Sequence, residues 1–151
     1  MIVIGYHGIG KSTLAYHNKG NVIDLESSLY MIDGQREEGM FNQYCTIAEN
    51  LSKNGLVVMV SSHEDVQHRL KQSDERIVAC FPDKSLKDQW LRKLRFRYER
   101  SESDKDKRAL NRAEEHFDDD IKALENAGFE NVVLKDMGYE LDQIFHNMNV
   151  L

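Results

Sequence analysis

The chain has 151 residues, 40% of them hydrophobic and 30% charged, and carries a formal net charge of −6. That length predicts a single domain over residues 1–151, with a core that needs no disulfide staples. No apolar run approaches the ~20 residues of a membrane span, and an acidic chain is not one coated for indiscriminate binding to DNA.

Two cysteines, Cys45 and Cys80, stand without metal-ligand spacing. They predict reduced, structural thiols in a cytoplasmic setting. The charge is uneven: residues 84–112 hold 11 Lys and Arg against 5 Asp and Glu, a local +6 that leaves −12 elsewhere. A basic segment in an acidic protein suits an anionic ligand.

In chain order, Met1-Ile2-Val3-Ile4 reads as a buried parallel strand. Gly5-Tyr6-His7-Gly8-Ile9-Gly10-Lys11-Ser12 follows and fits G-x-x-x-x-G-K-[ST] at every specified position. Ser12 and Thr13 then open a helix that should end near Asn18-Lys19-Gly20. Strand, glycine loop and helix together give the pattern a mechanism: backbone N–H groups of Gly8 to Thr13 aim at bound phosphate. Lys11 is expected to reach the β- and γ-phosphates of a nucleoside triphosphate such as ATP, and the Ser12 hydroxyl to hold Mg²⁺. Because the loop starts at the fifth residue, no targeting peptide is expected before it.

Asn21-Val22-Ile23-Asp24 predicts a second strand that ends in Asp24-Leu25-Glu26-Ser27-Ser28. Ligands of open α/β sheets bind at the carboxyl edge of the strands. Asp24 is therefore expected to orient or deprotonate an acceptor hydroxyl, or to hold a metal-bound water. Glu26 is a second acceptor-side candidate; capping of the next turn is the alternative for this cluster. Residues 32–39 read as a loop whose only cation, Arg36, is a candidate contact for an acceptor phosphate, a solvated position being the alternative.

Phe41, Tyr44, Ala48 and Leu51 recur at helical spacing over residues 40–54, and Gly55 stops that helix. Leu56-Val57-Val58-Met59-Val60 is a strand covered on both faces. It ends in Ser61-Ser62-His63, where many P-loop ATPases carry a Walker B Asp; the Ser here weakens an ATPase-motor reading. Ser62 and His63 are substrate-side candidates, with helix capping by Ser61 or Ser62 as the alternative. A short helix over 64–72 and a strand over 76–81 follow, and Pro82 bars further extension.

Ser85 and Asp88 read as a capping box for a basic helix over 86–100. Leu91, Leu94 and Tyr98 share one face of it; Lys93, Arg97 and Arg100 lie opposite, and Arg92 and Arg95 along a flank. Guanidinium groups donate bidentately to phosphate and stay charged, so this helix and the polar run to Lys107 are expected to form a lid over about 84–108. A solvated face is the alternative. A long helix over about 103–127 is marked by Leu110, Ala113, Phe117, Ile121 and Leu124, with Asp118-Asp119-Asp120 on its solvent face. A fifth strand over 131–134, a loop over 135–138 where a base could rest, and a closing helix over 139–148 complete the chain.

Five strands alternating with helices, a Walker A loop on the first and a basic helix after the fourth resemble the nucleoside monophosphate kinase branch of P-loop proteins. The order of elements covers nearly the whole chain; Gly5 to Ser12 is its specific motif. The resemblance implies a parallel five-stranded sheet in the order 2-3-1-4-5, helices on both faces, an acidic position after the second strand (Asp24), and lid arginines among Arg92, Arg95, Arg97 and Arg100. The phrases Asp24-Leu25-Glu26-Ser27-Ser28 and Val60-Ser61-Ser62-His63 also look like small kinase-like proteins of phages and prophages, which implies the cytoplasm of a bacterial host. One phage branch is associated with phosphorylating hydroxymethyluracil in DNA.

The sequence thus leads to an ATP- and Mg²⁺-dependent kinase with Lys11, Asp24, Arg97 and Arg100 in catalytic roles. Glu26, Arg36, Ser62, His63, Arg92 and Lys93 are its substrate-side candidates. The acceptor is a nucleoside or nucleotide; a base in DNA, or nucleotide binding without transfer, are the alternatives. No membrane partner is expected.

Overall fold

The computed structural model describes residues 1–25, 31–32, 35–36 and 39–151. Its order is β1 (Ile2–Gly5), α1 (Lys11–His17), β2 (Val22–Asp24), β3 (Met31–Ile32), β4 (Gln35–Arg36), α2 (Met40–Lys53), β5 (Val57–Ser61), α3 (Glu64–Leu70) and β6 (Ile77–Pro82). A short 3₁₀ turn over Lys84–Leu86 leads to α4 (Lys87–Ser101), α5 (Asp104–Asn126), β7 (Glu130–Leu134) and α6 (Leu141–Asn147).

Five strands form one all-parallel sheet in the order β2-β5-β1-β6-β7. Numbered among themselves, these strands run 2-3-1-4-5, the expected order. Ile2, Val3 and Ile4 of β1 are all fully buried, as are Val58, Met59 and Val60 of β5. Successive strand residues point to opposite faces, so the centre of the sheet is covered on both sides. The registers Gly5↔Ser61 and Asp24↔Met59 bring the ends of β1, β5 and β2 to one edge.

The long helix follows its sequence pattern. Leu110, Ala113, Phe117, Ile121 and Leu124 of α5 are buried, and the Phe117 ring meets Tyr6 edge-on at 5.7 Å. Ser103 caps α5 by accepting from the Asp106 N–H at 3.1 Å. Only Glu102 and Ser103 separate α5 from α4, with Glu102 in the left-handed region at φ 53°. The polar run to Lys107 thus falls on the end of α4, the two-residue joint and the first turn of α5, which starts where the sequence pattern placed it.

Three local expectations are corrected. Within the stretch 32–39 expected as a loop, Ile32, Gln35 and Arg36 are strand residues: β3 and β4 pair as an antiparallel ribbon, Met31 opposite Arg36 and Ile32 opposite Gln35, while residues 33, 34, 37 and 38 lie outside the described residues. The capping box of Ser85 and Asp88 does not form. The Asp83 carboxylate, one step beyond Pro82, accepts from both the N–H and the hydroxyl of Ser85, at 3.0 and 2.6 Å, and so nucleates the 3₁₀ turn first. The cap of α3 is His63 rather than Ser61 or Ser62.

Cys45 and Cys80 are free and buried, and burial pushes their thiols up to about 11 and about 12. Among the described residues no helix is long and apolar enough to cross a membrane.

Candidate functional site

The glycine loop leaves β1 at Gly5 and delivers Lys11 and Ser12 to the start of α1. Lys11 Nζ donates to the Gly5 carbonyl at 2.9 Å, folding its side chain back over the loop. The Ser12 hydroxyl donates to Asp24 Oδ2 at 2.8 Å. The strand order explains this pairing, since β2 lies two strands from β1 and its carboxyl end reaches the same edge.

Tyr44 of α2 fixes the strand ends beside this pair. Its buried hydroxyl donates to the Leu25 carbonyl at 2.6 Å and accepts from the Ser61 N–H at 2.9 Å, tying the end of β2 to the end of β5. The Ser61 hydroxyl in turn accepts from the His63 N–H at 3.1 Å. His63 Nδ1 accepts from the Asp65 N–H at 3.1 Å, which assigns the neutral ring's proton to Nε2. Phe41 stacks on that ring at 4.4 Å. Gln67 Nε2 donates to the Ser62 carbonyl at 2.8 Å.

Several of these groups, but not Tyr44 or Phe41, border one cavity of about 800 Å³. Its floor is Gly8, Gly10, Lys11, Ser12, Thr13 and Asp24; Ser61, Ser62, His63 and Gln67 line one side. The opposite wall is basic: Lys93 and Arg97 come from α4, and Lys105, Arg108 and Arg112 from α5. A volume of this order holds a nucleotide-sized ligand together with a small second one.

The cations are mostly held by neighbours. Arg97 donates to Asp106 at 3.1 Å, and Arg112 grips Asp120 through Nε and a terminal nitrogen at 2.9 and 2.8 Å. Burial works against ionisation of Asp106, but hydrogen bonds from Ser101 and Ser103 and the Arg97 charge overcome it and hold the carboxyl below its ordinary value. Lys93 is pushed down to about 8, by burial first and then by Arg97.

The structure thus gathers Gly8, Gly10, Lys11, Ser12, Thr13, Asp24, Ser62, His63, Lys93 and Arg97 around one space. It leaves others out of the cavity wall. Arg92 directs its Nε toward the Asp88 carbonyl, Arg95 faces Glu114, and Arg100 lies over the Phe96 ring at 5.5 Å. The Arg100 position expected over phosphate is therefore corrected to an outer face of α4. The Ile9 side chain is buried beneath the loop. Arg36 sits in the β3–β4 ribbon, and Glu26 lies outside the described residues. The loop over 135–138 does not border the cavity, and Asp136 closes it locally by accepting from the Gly138 N–H at 2.8 Å.

Sequence reasoning missed His7, Lys105, Arg108, Arg112 and Asp120. The spacing of 105, 108 and 112 places those three on one helical face, a signal available in the charge pattern. Asp120 belongs to a run read as solvent-facing, yet it borders the cavity while Asp118 pairs with Lys87 at 2.9 Å.

The His7 imidazole is strongly perturbed. Burial, then Lys11, Arg97 and Arg112, push it from 6.5 down to about 4, against the opposing pull of Asp120. Between about pH 6.5 and 4 the unfolded chain takes up a proton that the folded chain does not. Stability contributed by neutral His7 is therefore lost as pH falls through that window, with a slope of up to about 1.4 kcal/mol per pH unit. His7→Gln is expected to flatten the fall in urea midpoint between pH 6.5 and 4.5; identical slopes in both proteins would rule out a buried neutral His7.

Ser12 and Asp24 offer the hard oxygen donors that suit Mg²⁺, which commonly takes one or two protein oxygens and keeps its waters. No protein-family model matches the chain, and none of the curated proteins compared with it matches. The fold and the cavity, rather than kinship, carry the functional reading.

Proposed function

We propose that the protein is an ATP- and Mg²⁺-dependent phosphotransferase of the P-loop type, acting on a nucleoside or nucleotide. The observation that carries this reading is the Ser12–Asp24 hydrogen bond at 2.8 Å, formed in the same cavity as Lys11 and Arg97. A lysine, a hydroxyl with its carboxylate, and a facing arginine wall are the parts that phosphoryl transfer needs, because that chemistry depends on positioning and charge stabilisation.

In this reading the backbone of Gly8, Ile9, Gly10, Lys11, Ser12 and Thr13 holds the triphosphate. Lys11 turns from the Gly5 carbonyl to the β- and γ-phosphate oxygens. Mg²⁺ supplies charge neutralisation across those oxygens when bound, and Ser12 with Asp24 holds it or one of its waters. The α4–α5 pair acts as the lid, and Arg97 stabilises charge on the transferring group. A hydroxyl or phosphate oxygen of the acceptor forms its bond to the γ-phosphorus as the bond to the β–γ bridging oxygen breaks; ADP leaves with that oxygen and its electron pair, and the proton of a hydroxyl acceptor passes to water in the open cavity. The acceptor lies toward Ser62 and His63, across from Arg108 and Arg112.

The test is Mg²⁺-dependent formation of ADP from ATP with panels of nucleosides and nucleotides. Stimulation by one member of the panel is the expected result. Binding of ATP without transfer to any acceptor would replace the kinase by a nucleotide-sensing protein. A second reading is favoured by Arg92 and Arg100, which stay exposed on α4 beyond the cavity and would suit a longer polyanion. In that reading the acceptor is a modified base, such as hydroxymethyluracil, in DNA. Labelled γ-phosphate then appears on DNA and not on free nucleotides, and binding weakens steeply with salt.

A further inference from the structure

Three consecutive carbonyls of the glycine loop are gripped from outside it. Trp90 Nε1, on α4, donates to the His7 carbonyl at 2.8 Å. The Tyr139 hydroxyl, between β7 and α6, donates to the Ile9 carbonyl at 2.8 Å and lies 3.3 Å from that of Gly8. The two rings stack with centroids 5.9 Å apart and planes 20° from parallel. Lys93 Nζ sits 4.5 Å from the Trp90 centroid and 5.0 Å from that of Tyr139, and donates to the Tyr139 hydroxyl at 2.8 Å. Residues from two distant parts of the chain thus converge on one short stretch of backbone.

A trans peptide is planar, so each carbonyl points away from the N–H of the next residue. Holding the carbonyls of His7, Gly8 and Ile9 therefore sets the directions of the N–H groups of Gly8, Ile9 and Gly10. The Ile9 N–H turns back to the Tyr6 carbonyl at 3.4 Å. Gly8 and Gly10 border the cavity, and among the described residues neither of their N–H groups has a hydrogen-bond partner. Two uncommitted donors, on a backbone whose acceptors are already taken, form a prepared cradle for anionic oxygens.

We propose that Trp90 and Tyr139 are positioning residues for the phosphate chain: they preset the glycine loop so that the Gly8 and Gly10 N–H groups are aimed before any anion arrives, and Lys93 clamps their two rings together. This rests on the nucleotide-binding reading of the loop. Preorganisation of this kind lowers the ordering cost of binding, so its loss weakens affinity for anything that uses the loop amides.

The test uses Tyr139→Phe, which keeps the stacked ring and removes only the hydroxyl. Calorimetry with Mg²⁺-ATP and with Mg²⁺-tripolyphosphate is expected to show about tenfold weaker binding of both by the variant, because the brace acts on the phosphate chain and not on the base. Trp90 is the only tryptophan in the chain, so its emission should change on titration of the full-length protein with either ligand. The variant should reach the same change at about ten times the ligand concentration. A role in packing alone would lower the melting temperature and leave both dissociation constants unchanged, and that result overturns the proposal. If wild-type protein binds neither ligand, the nucleotide reading fails and this inference with it; binding by wild type with equal affinity in the variant removes the positioning role only. Should Tyr139→Phe fail to fold by circular dichroism, Trp90→Phe removes the other donor, and the same pair of calorimetric titrations decides.

Discussion

Replacing Lys11 with alanine is expected to lower acceptor-dependent ADP formation by about 10²- to 10³-fold, the usual loss when one preorganised donor to a developing oxyanion is removed. The fold should survive. Lys11 is only partly buried, and its ammonium donates to the Gly5 carbonyl, a neutral acceptor whose loss costs about 1 kcal/mol. Thermal unfolding should therefore shift by only a few degrees while turnover collapses. Asp24→Asn is the companion measurement. It keeps the shape of the side chain but removes its charge, so the Mg²⁺ concentration for half-maximal rate should rise, whereas Lys11→Ala should change the rate at saturating Mg²⁺. There is also a readout that needs no acceptor. Lys11 is one of the cations that hold His7 down, so the His7 ring should titrate at higher pH in Lys11→Ala, as followed by NMR. Turnover unchanged in Lys11→Ala would place the reaction elsewhere.

The parts of this site that were legible in sequence are those whose signal is local. Ile2, Val3 and Ile4 form an apolar run that can only be a covered strand, and the loop after them has a fixed spacing. The stripe of Leu110, Phe117 and Leu124 has helical periodicity and is buried as such. Asp24 was legible as a residue at a strand end, although its partner Ser12 becomes visible only once β5 separates β2 from β1. What escaped was contact between distant segments. Trp90 and Tyr139 lie far apart in the chain and meet at the same loop, and no periodicity announces that. The basic stretch was evident as charge, but which of its faces looks inward depends on how α4 and α5 lie over the sheet; Arg97 turned in, while Arg100 turned to Phe96. Residues in a run such as Asp118-Asp119-Asp120 point about 100° apart on a helix, so one of the three reaches the cavity while another binds Lys87. The β3–β4 ribbon escaped for a different reason. Two-residue strands are too short to show alternation, even with the hairpin-favouring pair Asp33-Gly34 between them in sequence.

Gly8→Ala is expected to cost about 2–5 kcal/mol of stability and most of the affinity for a phosphate chain. Two effects add. Gly8 has φ +83°, a left-handed backbone that costs an L-residue about 1–2 kcal/mol. A Cβ there would also stand 2.9 Å from Leu94 Cδ2 and 3.4 Å from Trp90 Nε1. Leu94 and Trp90 are 2% and 0% exposed, so neither can swing aside into solvent, and crowding a packed site costs a further 1–3 kcal/mol or so. Moving Trp90 would also release the His7 carbonyl and with it the preset direction of the Gly8 N–H. Gly20→Ala separates the two effects. Gly20 has φ +91° but nothing within 4 Å of its added Cβ, so it carries the backbone cost without the crowding. Urea midpoints should rank wild type above Gly20→Ala and Gly20→Ala above Gly8→Ala, with only the last losing tripolyphosphate binding. Equal destabilisation by the two alanines, with binding intact in both, would mean that Leu94 and Trp90 do not press on the loop.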